Sequence, residues 1–123
     1  YARRSETRRR SHMYARVTTY ELDEQAGDAT AAFETAIERI RGLPGLVDAS
    51  FLIEREPGAR ALTITTWETL EAMEASRVAA TRARSDAARE VSAEVTTTCE
   101  YAVRVRGVPE PADGALAGAA RRI

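Results

Sequence analysis

Four stretches of the chain have the β-branched and alternating composition of strands, and two stretches between them repeat with helical spacing. The predicted strands span residues 13–22, 46–56, 60–67 and 95–106. Phe33, Ala36, Ile37 and Ile40 fall at i, i+3, i+4 and i+7, which predicts an amphipathic helix that ends at residues 42–45. A second helical segment begins after the capping residue Thr69 and bends near residues 76–81.

This order of elements is β-α-β-β-α-β, the ferredoxin-like split βαβ pattern. The sequence therefore predicts an α+β domain in which a four-stranded antiparallel sheet carries its helices on one face. Its strands are apolar on both sides, whereas a half-solvated sheet alternates more cleanly. We expect the open face to be buried against a second copy, so that two protomers close a dimeric α/β barrel.

Alternation along the strands suggests how side chains divide between the two faces. Thr19, Thr65 and Trp67 are predicted to face the helices. The side chains predicted to lie on the dimer face are Tyr14, Arg16, Tyr20, Leu62 and Ile64. An arginine at a dimer face needs an acidic partner, and Glu100 and Glu54 are the two candidates for Arg16.

The amino-acid composition excludes several kinds of chemistry. All 18 basic residues are arginine, and asparagine is also absent. Because there is no lysine, a Walker-type phosphate loop and a Schiff base are excluded. His12 and Cys99 are the single histidine and cysteine, too few for a Cys/His zinc site or a Ser-His-Asp triad. We therefore expect no metal site.

The net charge of −1 conceals an uneven layout. Residues 1–12 carry +4 and end before Met13 in a Ser-His pair typical of a vector remnant, so we expect a vector-derived or disordered arm. Residues 13–106 form the predicted domain and carry −5, so nucleic acid is not expected as a partner. Residues 107–123, rich in Gly, Pro and Ala, are predicted to be a flexible tail. No apolar stretch is long enough to cross a membrane, so a soluble cytoplasmic protein is expected.

Five sequence segments together resemble the antibiotic biosynthesis monooxygenase-like family of the dimeric α/β-barrel superfamily. They are MYARVTTYE, LPG after the first helix, ALTITTWET, LEAME and CEYAVRV, and they cover residues 13–106. The resemblance implies a homodimer with a pocket between helices and sheet in each protomer. Some members oxidise aromatic polyketide or quinol-like substrates with O₂ and no cofactor, some degrade haem, and many have no established activity.

The haem-degrading members share an Asn on the first strand, a Trp at the end of the third strand and a His on a following helix. Only the Trp has a counterpart here, Trp67. Without an imidazole in the domain there is no ordinary axial ligand for haem iron, so haem degradation is not expected.

The candidate pocket residues are Trp67, Thr19, Thr65 and Tyr101. Trp67 would stack on a planar aromatic substrate, the threonines would mark a cavity, and Tyr101 would bond a substrate oxygen. Each also has a structural interpretation as a core or strand residue. Arg82 and Arg84 could steady a substrate anion at a pocket mouth, or could be solvated surface residues.

Two hypotheses about function remain open. One is a cofactor-independent monooxygenase of a small aromatic, quinol-like or polyketide substrate. The other is a non-catalytic dimeric barrel that binds a small molecule or serves as an accessory module.

Overall fold

Four antiparallel strands form one sheet in the computed structural model, which describes residues 12–23 and 26–109. The strands are β1 (Tyr14–Glu21), β2 (Leu46–Ile53), β3 (Arg60–Trp67) and β4 (Glu94–Ala102). Their order is β2-β3-β1-β4, so β1 and β3 are central and β2 and β4 are the edges. The predicted ferredoxin-like α+β fold is confirmed. The second and fourth strands end earlier than predicted, at Ile53 and Ala102.

Three helices pack on one face of the sheet: α1 (Ala26–Ile40), α2 (Leu70–Ala75) and α3 (Arg77–Glu90). The break between α2 and α3 falls at Ser76, within the bend that the sequence predicts. The Oγ1 atom of Thr69 accepts a hydrogen bond from the backbone N–H of Ala72 at 3.0 Å, so the predicted helix cap is confirmed.

The core lies between this helical layer and the sheet. Phe33 of α1 packs edge-on against Tyr20 at 4.8 Å between ring centroids, and stacks on Phe51 at 4.4 Å. By contrast, α3 presents only small side chains to the core: its buried residues are Ala80, Ala83, Ala87 and Ala88. A helix face of alanines brings little volume to the core and leaves space between α3 and the sheet.

The register of the strands reverses the predicted faces of β1. Thr18 lies opposite Thr63, and Arg16 opposite Thr65, on the side that the helices cover. Thr19 lies opposite Leu62 on the open side. Alternation divides the side chains of β1 into two sets but does not say which set is buried. The large aromatic Tyr20 is buried, and Arg16 and Thr18, which have the same parity, are buried with it.

A glycine allows the chain to pass from α1 into β2 beneath α2. Gly45 has a φ of +81°, and a Cβ atom built there would lie 2.4 Å from the Cβ of Ala72. Both the backbone conformation and the close approach therefore require glycine.

Residues 12–103 form one compact unit by their contacts, and residues 104–109 do not belong to it. The predicted arm, apart from His12, lies outside the described residues, as does the predicted tail beyond residue 109. No helix among the residues that the structure describes is long and apolar enough to cross a membrane.

Candidate active site

A small cavity lies between α1, α3 and the helix-covered face of the sheet. It encloses about 30 Å³, room for a water molecule or two. The polar side chains in its wall are those of Arg16, Thr18, Thr63, Thr65 and Arg84, and Ser50, whose register partner Ile64 lies on the open face, also borders it. Its apolar wall is formed by Phe33, Ala36, Ile37, Ile40, Ala49, Ala80 and Ala83. The cavity occupies the place where the family resemblance implies a pocket.

Arg16 stands at one end of the cavity and is 3% exposed. Its Nη2 atom donates to the backbone carbonyl oxygen of Met73 at 2.9 Å and lies 3.0 Å from Oε2 of Glu100. Its Nη1 atom donates to Oγ of Ser76 at 3.3 Å. The assignment of Arg16 to the dimer face is wrong, because its side chain is held against the break between α2 and α3. The expected partnership with Glu100 is confirmed.

Glu100 joins Arg16 to the surface of the molecule. Its Oε1 atom also accepts a hydrogen bond from Nη2 of Arg77 at 2.6 Å. The hydrogen bond from Arg77 and the ion pair with Arg16 lower the pKa of the Glu100 carboxyl, although partial burial acts in the opposite direction. Glu100 is therefore ionised at neutral pH, and it neutralises the buried guanidinium.

Arg84 of α3 is half-buried at the same cavity and is not neutralised in this way. Its Nη2 atom donates to Oγ1 of Thr81 at 3.2 Å, and no carboxylate among the described residues lies within ion-pair distance of it. Burial lowers its pKa most and the positive charge of Arg16 acts in the same direction, while Tyr20 and the Glu100 carboxylate oppose them. A partly desolvated cation with no carboxylate in ion-pair contact attracts an anion.

The hydroxyls of Thr18 and Thr63 line the sheet side of the cavity, and each lies within hydrogen-bond distance of a hydroxyl outside the lining. Oγ1 of Thr18 lies 3.3 Å from Oγ1 of Thr98, and the Tyr20 hydroxyl lies 3.0 Å from Oγ1 of Thr63. Burial raises the pKa of Tyr20 to about 12, against the opposing effects of Thr63, Arg84 and Thr18. Tyr20 therefore stays protonated at neutral pH and is a hydrogen-bond donor rather than a base.

Trp67 is fully buried behind the cavity wall rather than in it. Its indole Nε1–H donates to Oγ1 of Thr65 at 3.0 Å, and Thr65 itself lines the cavity. Of the predicted pocket residues, Thr65 faces the cavity directly, and Trp67 is connected to it through this hydrogen bond.

Thr19 and Tyr101 lie on the open face, away from the other predicted pocket residues. Tyr101 pairs with Ala15 across β1 and β4 and is 53% exposed, whereas Thr19 pairs with Thr97. Thr19 lines a separate, open hollow of about 420 Å³ with Leu52 and Leu62. The prediction that Thr19 and Tyr101 belong to the helix-side pocket is wrong, because both have the strand parity of Val17, which faces away from the helices.

The open face of the sheet carries the apolar side chains that the sequence predicts. Ile64 lies opposite Val17, and Leu62 lies opposite Leu52. Leu52 remains 45% exposed in the single chain. Leu62 and Ile64 thus lie on the face predicted for dimer contact.

The sequence did not single out the cavity position of Thr18 and left Arg84 as an alternative to solvated surface. The sequence does carry a signal for Arg84. Arg84 lies four residues after Ala80 and three before Ala87, so helical spacing places it beside the buried alanine face of α3. In the described part of the chain, no three His, Cys, Asp or Glu side chains are grouped in a way that could hold a metal ion.

No protein-family model matches the chain. Two uncharacterised proteins of Mycobacterium tuberculosis, from strains CDC 1551 and H37Rv, are each 34% identical to it over 67 residues. The match covers 53% of this chain and spans only 30% of the length of each relative.

Solved structures share the fold over most of the chain. SnoaB, a cofactor-independent oxygenase from Streptomyces nogalater, superposes with a TM-score of 0.62 at 17% identity, covering 81% of this chain and 100% of SnoaB. MupZ from Pseudomonas fluorescens gives 0.62 at 15% identity, covering 91% and 80%. A protein from Chloroflexus aurantiacus, provisionally assigned as an antibiotic biosynthesis monooxygenase, gives 0.59 at 15% identity, covering 79% and 97%.

At these identities the likeness concerns the fold, and it agrees with the resemblance found in the sequence. The chain has the fold of the antibiotic biosynthesis monooxygenase-like proteins.

Proposed function

We propose that this protein is a cofactor-independent monooxygenase that oxidises a small aromatic, quinol-like or polyketide substrate with O₂. The observation that carries the proposal is the half-buried guanidinium of Arg84, which borders the cavity without a carboxylate partner among the described residues. SnoaB, which has the same fold, is a cofactor-independent oxygenase, and this supports the reaction type.

Such a reaction needs a substrate that becomes electron-rich by losing a proton. Arg84 would stabilise the resulting phenolate or enolate, because a fixed cation in a water-poor site stabilises developing negative charge. The ionised substrate then reduces O₂ directly: a ring methylene becomes a carbonyl, one oxygen atom stays on the carbon, and the other leaves as water with the two hydrogens. Neutral donors such as Thr63 and Thr65 would orient the substrate oxygen.

The cavity must widen to admit an aromatic ring, since small-molecule sites have volumes of about 300–1,000 Å³. Its wall on α3 consists of Ala80, Ala83 and Arg84. We propose that the substrate enters by displacing the Arg84 side chain toward solvent, where it can still pair with a substrate oxygen. The alanines leave the substrate room that larger side chains would fill.

A comparison of two arginines on α3 tests this function. O₂ uptake is measured with dihydroquinones and anthrones for the wild-type protein, Arg84→Gln and the control Arg82→Gln, whose side chain is exposed outside the cavity. We expect uptake to fall about 100-fold in Arg84→Gln, as for the loss of one oxyanion donor, and to persist in Arg82→Gln. Absence of uptake in the wild-type protein would contradict the oxygenase, and equal uptake in both variants would contradict the role of Arg84 in it.

The small volume of the cavity favours a second candidate, a non-catalytic dimeric barrel. About 30 Å³ is far below the volume of a substrate pocket, and arginine is the only titratable residue type among the described residues of the cavity wall. Under this alternative the protein binds a small anionic aromatic at Arg84 or acts as an accessory module. Tight binding of a hydroquinone without O₂ uptake would favour it over the oxygenase.

We also propose that the protein is a homodimer joined through the open face of the sheet. Apolar side chains on this face, among them Leu52 and Tyr101, are largely exposed in the single chain. Burial of such a patch against a second copy removes it from water.

A further inference from the structure

We propose that Thr18 and Thr98 form a hydroxyl relay that carries the substrate's proton from the cavity to solvent across the edge of the sheet. This inference rests on the proposed oxygenase function. It answers a question that this function raises, because the described residues of the cavity wall include no carboxylate or imidazole that could act as the base.

The two threonines connect the interior to the surface in a single step. Thr18 is 1% exposed and lines the cavity, whereas Thr98 is exposed on the edge strand β4. They face each other in the register of β1 and β4, with 3.3 Å between their Oγ1 atoms. That distance is long for an O–H···O bond, but hydrogen bonds used in catalysis often shorten only in the substrate complex.

A hydroxyl can accept one proton while it donates another, which is what a relay requires. The substrate's proton passes to Oγ1 of Thr18 as the Thr18 hydroxyl proton passes to Oγ1 of Thr98. In the same concerted step the Thr98 hydroxyl proton passes to a buffer base in solvent, so that neither threonine is ever doubly protonated. Both threonines end neutral, the substrate is left as an anion beside Arg84, and no redox partner is needed for this step.

The other pair of bonded hydroxyls, of which Thr63 lines the cavity and Tyr20 lies behind it, does not offer an exit. The Tyr20 hydroxyl bonds to Thr63, but Tyr20 is fully buried and its high pKa keeps the phenol protonated. The Tyr20–Thr63 pair is therefore a fixed donor group for the substrate, and the Thr18–Thr98 pair is the path to solvent.

A structural explanation of the same contact must be distinguished from the relay. Cross-strand threonine pairs stabilise antiparallel sheets without any role in proton transfer. A purely structural pair would affect unfolding but not the rate at which a bound phenol ionises, so that rate is the informative measurement.

The experiment uses 4-nitrophenol, whose phenolate absorbs visible light, mixed rapidly with the full chain below the solution pKa of the probe. We expect Arg84 to favour the bound phenolate, and the absorbance change to report how fast it forms. In Thr98→Val and in Thr18→Val the rate should fall about 100-fold, the low end of what positioned proton transfer contributes. The extent of ionisation at equilibrium should not change in Thr98→Val, because Arg84 is intact.

Thr97→Val is the matched control, since Thr97 is the neighbouring exposed threonine on the opposite face of β4. Wild-type rates in Thr97→Val together with slow ionisation in Thr98→Val support the relay. Fast ionisation in Thr98→Val overturns the relay and leaves the Arg84 site standing. Failure of the wild-type protein to bind or ionise the probe overturns both the relay and the anion site.

Discussion

The guanidinium of Arg16 donates to the backbone carbonyl oxygen of Met73 at 2.9 Å, so a strand side chain satisfies a carbonyl in the last turn of α2. The same carbonyl accepts a hydrogen bond from the Ser76 hydroxyl at 2.7 Å, so a buried cation from β1 and the residue at the helix break share it. This contact fixes the α2–α3 break over the sheet and thereby positions α3 at the cavity. It depends on Glu100, which neutralises Arg16.

We expect Glu100→Gln to lower the free energy of unfolding by about 3 kcal/mol, because Arg16 would stay buried without a counter-ion. The value is taken at the low end for a broken buried pair, since the Glu100 side chain is 26% exposed. Urea denaturation measures it. Glu94→Gln, the same change at another exposed position of β4, should alter stability by no more than about 0.5 kcal/mol. Equal stability of the two variants would show that the pair has no net effect.

The lowered pKa of Glu100 also predicts an acid-dependent loss of stability. Its contribution is fully present above the unfolded-state pKa of 4.5 and is lost as pH falls from there through the lower folded-state pKa. The urea midpoint of the wild-type protein should therefore decline below about pH 4.5 more steeply than that of Glu100→Gln. Parallel declines would place the acid sensitivity in other carboxylates.

Gly45→Ala should lower the free energy of unfolding by about 1–3 kcal/mol from backbone strain, and by more from the steric clash. The new Cβ would lie 2.4 Å from the Cβ of Ala72, and the φ of +81° is strained for alanine. Gly42→Ala is the control, because a Cβ there meets no atom within 4 Å and its φ lies outside the left-handed region. Thermal unfolding of the two variants measures the difference. Similar melting temperatures would contradict the close approach of β2 and α2.

The sole tryptophan should report on the cavity through Thr65. Because Trp67 is fully buried, its fluorescence should resist quenching by iodide in the folded protein and become quenchable in urea. A hydroquinone bound in the cavity should shift the emission, since it would compete for the Thr65 hydroxyl. Thr65→Val should reduce that shift, while Thr66→Val, on the opposite face of β3, should preserve it.

The elements could be predicted from the sequence because they depend on local patterns. The spacing of Phe33 and Ile40 and the capping residue Thr69 each act within a few residues along the chain. The face of β1 could not be predicted, since alternation leaves two solutions and only the packing of Tyr20 against Phe33 selects one. The partial burial of Arg84 likewise arises from the packing of α3 against α1 and the sheet.

Substitution on the open face tests the proposed dimer. The wild-type protein should have twice the mass of one chain by light scattering at micromolar concentration, and Ile64→Arg should be monomeric. Ile64 lies on the open face between Val17 and Ser50, where a charged side chain would have to be desolvated in the interface. Val78→Arg introduces the same charge at a position 71% exposed on α3, on the other side of the molecule, and should remain dimeric. A monomeric wild-type protein would refute the dimer. Loss of the dimer in Val78→Arg but not in Ile64→Arg would place the interface on the helices instead of the sheet.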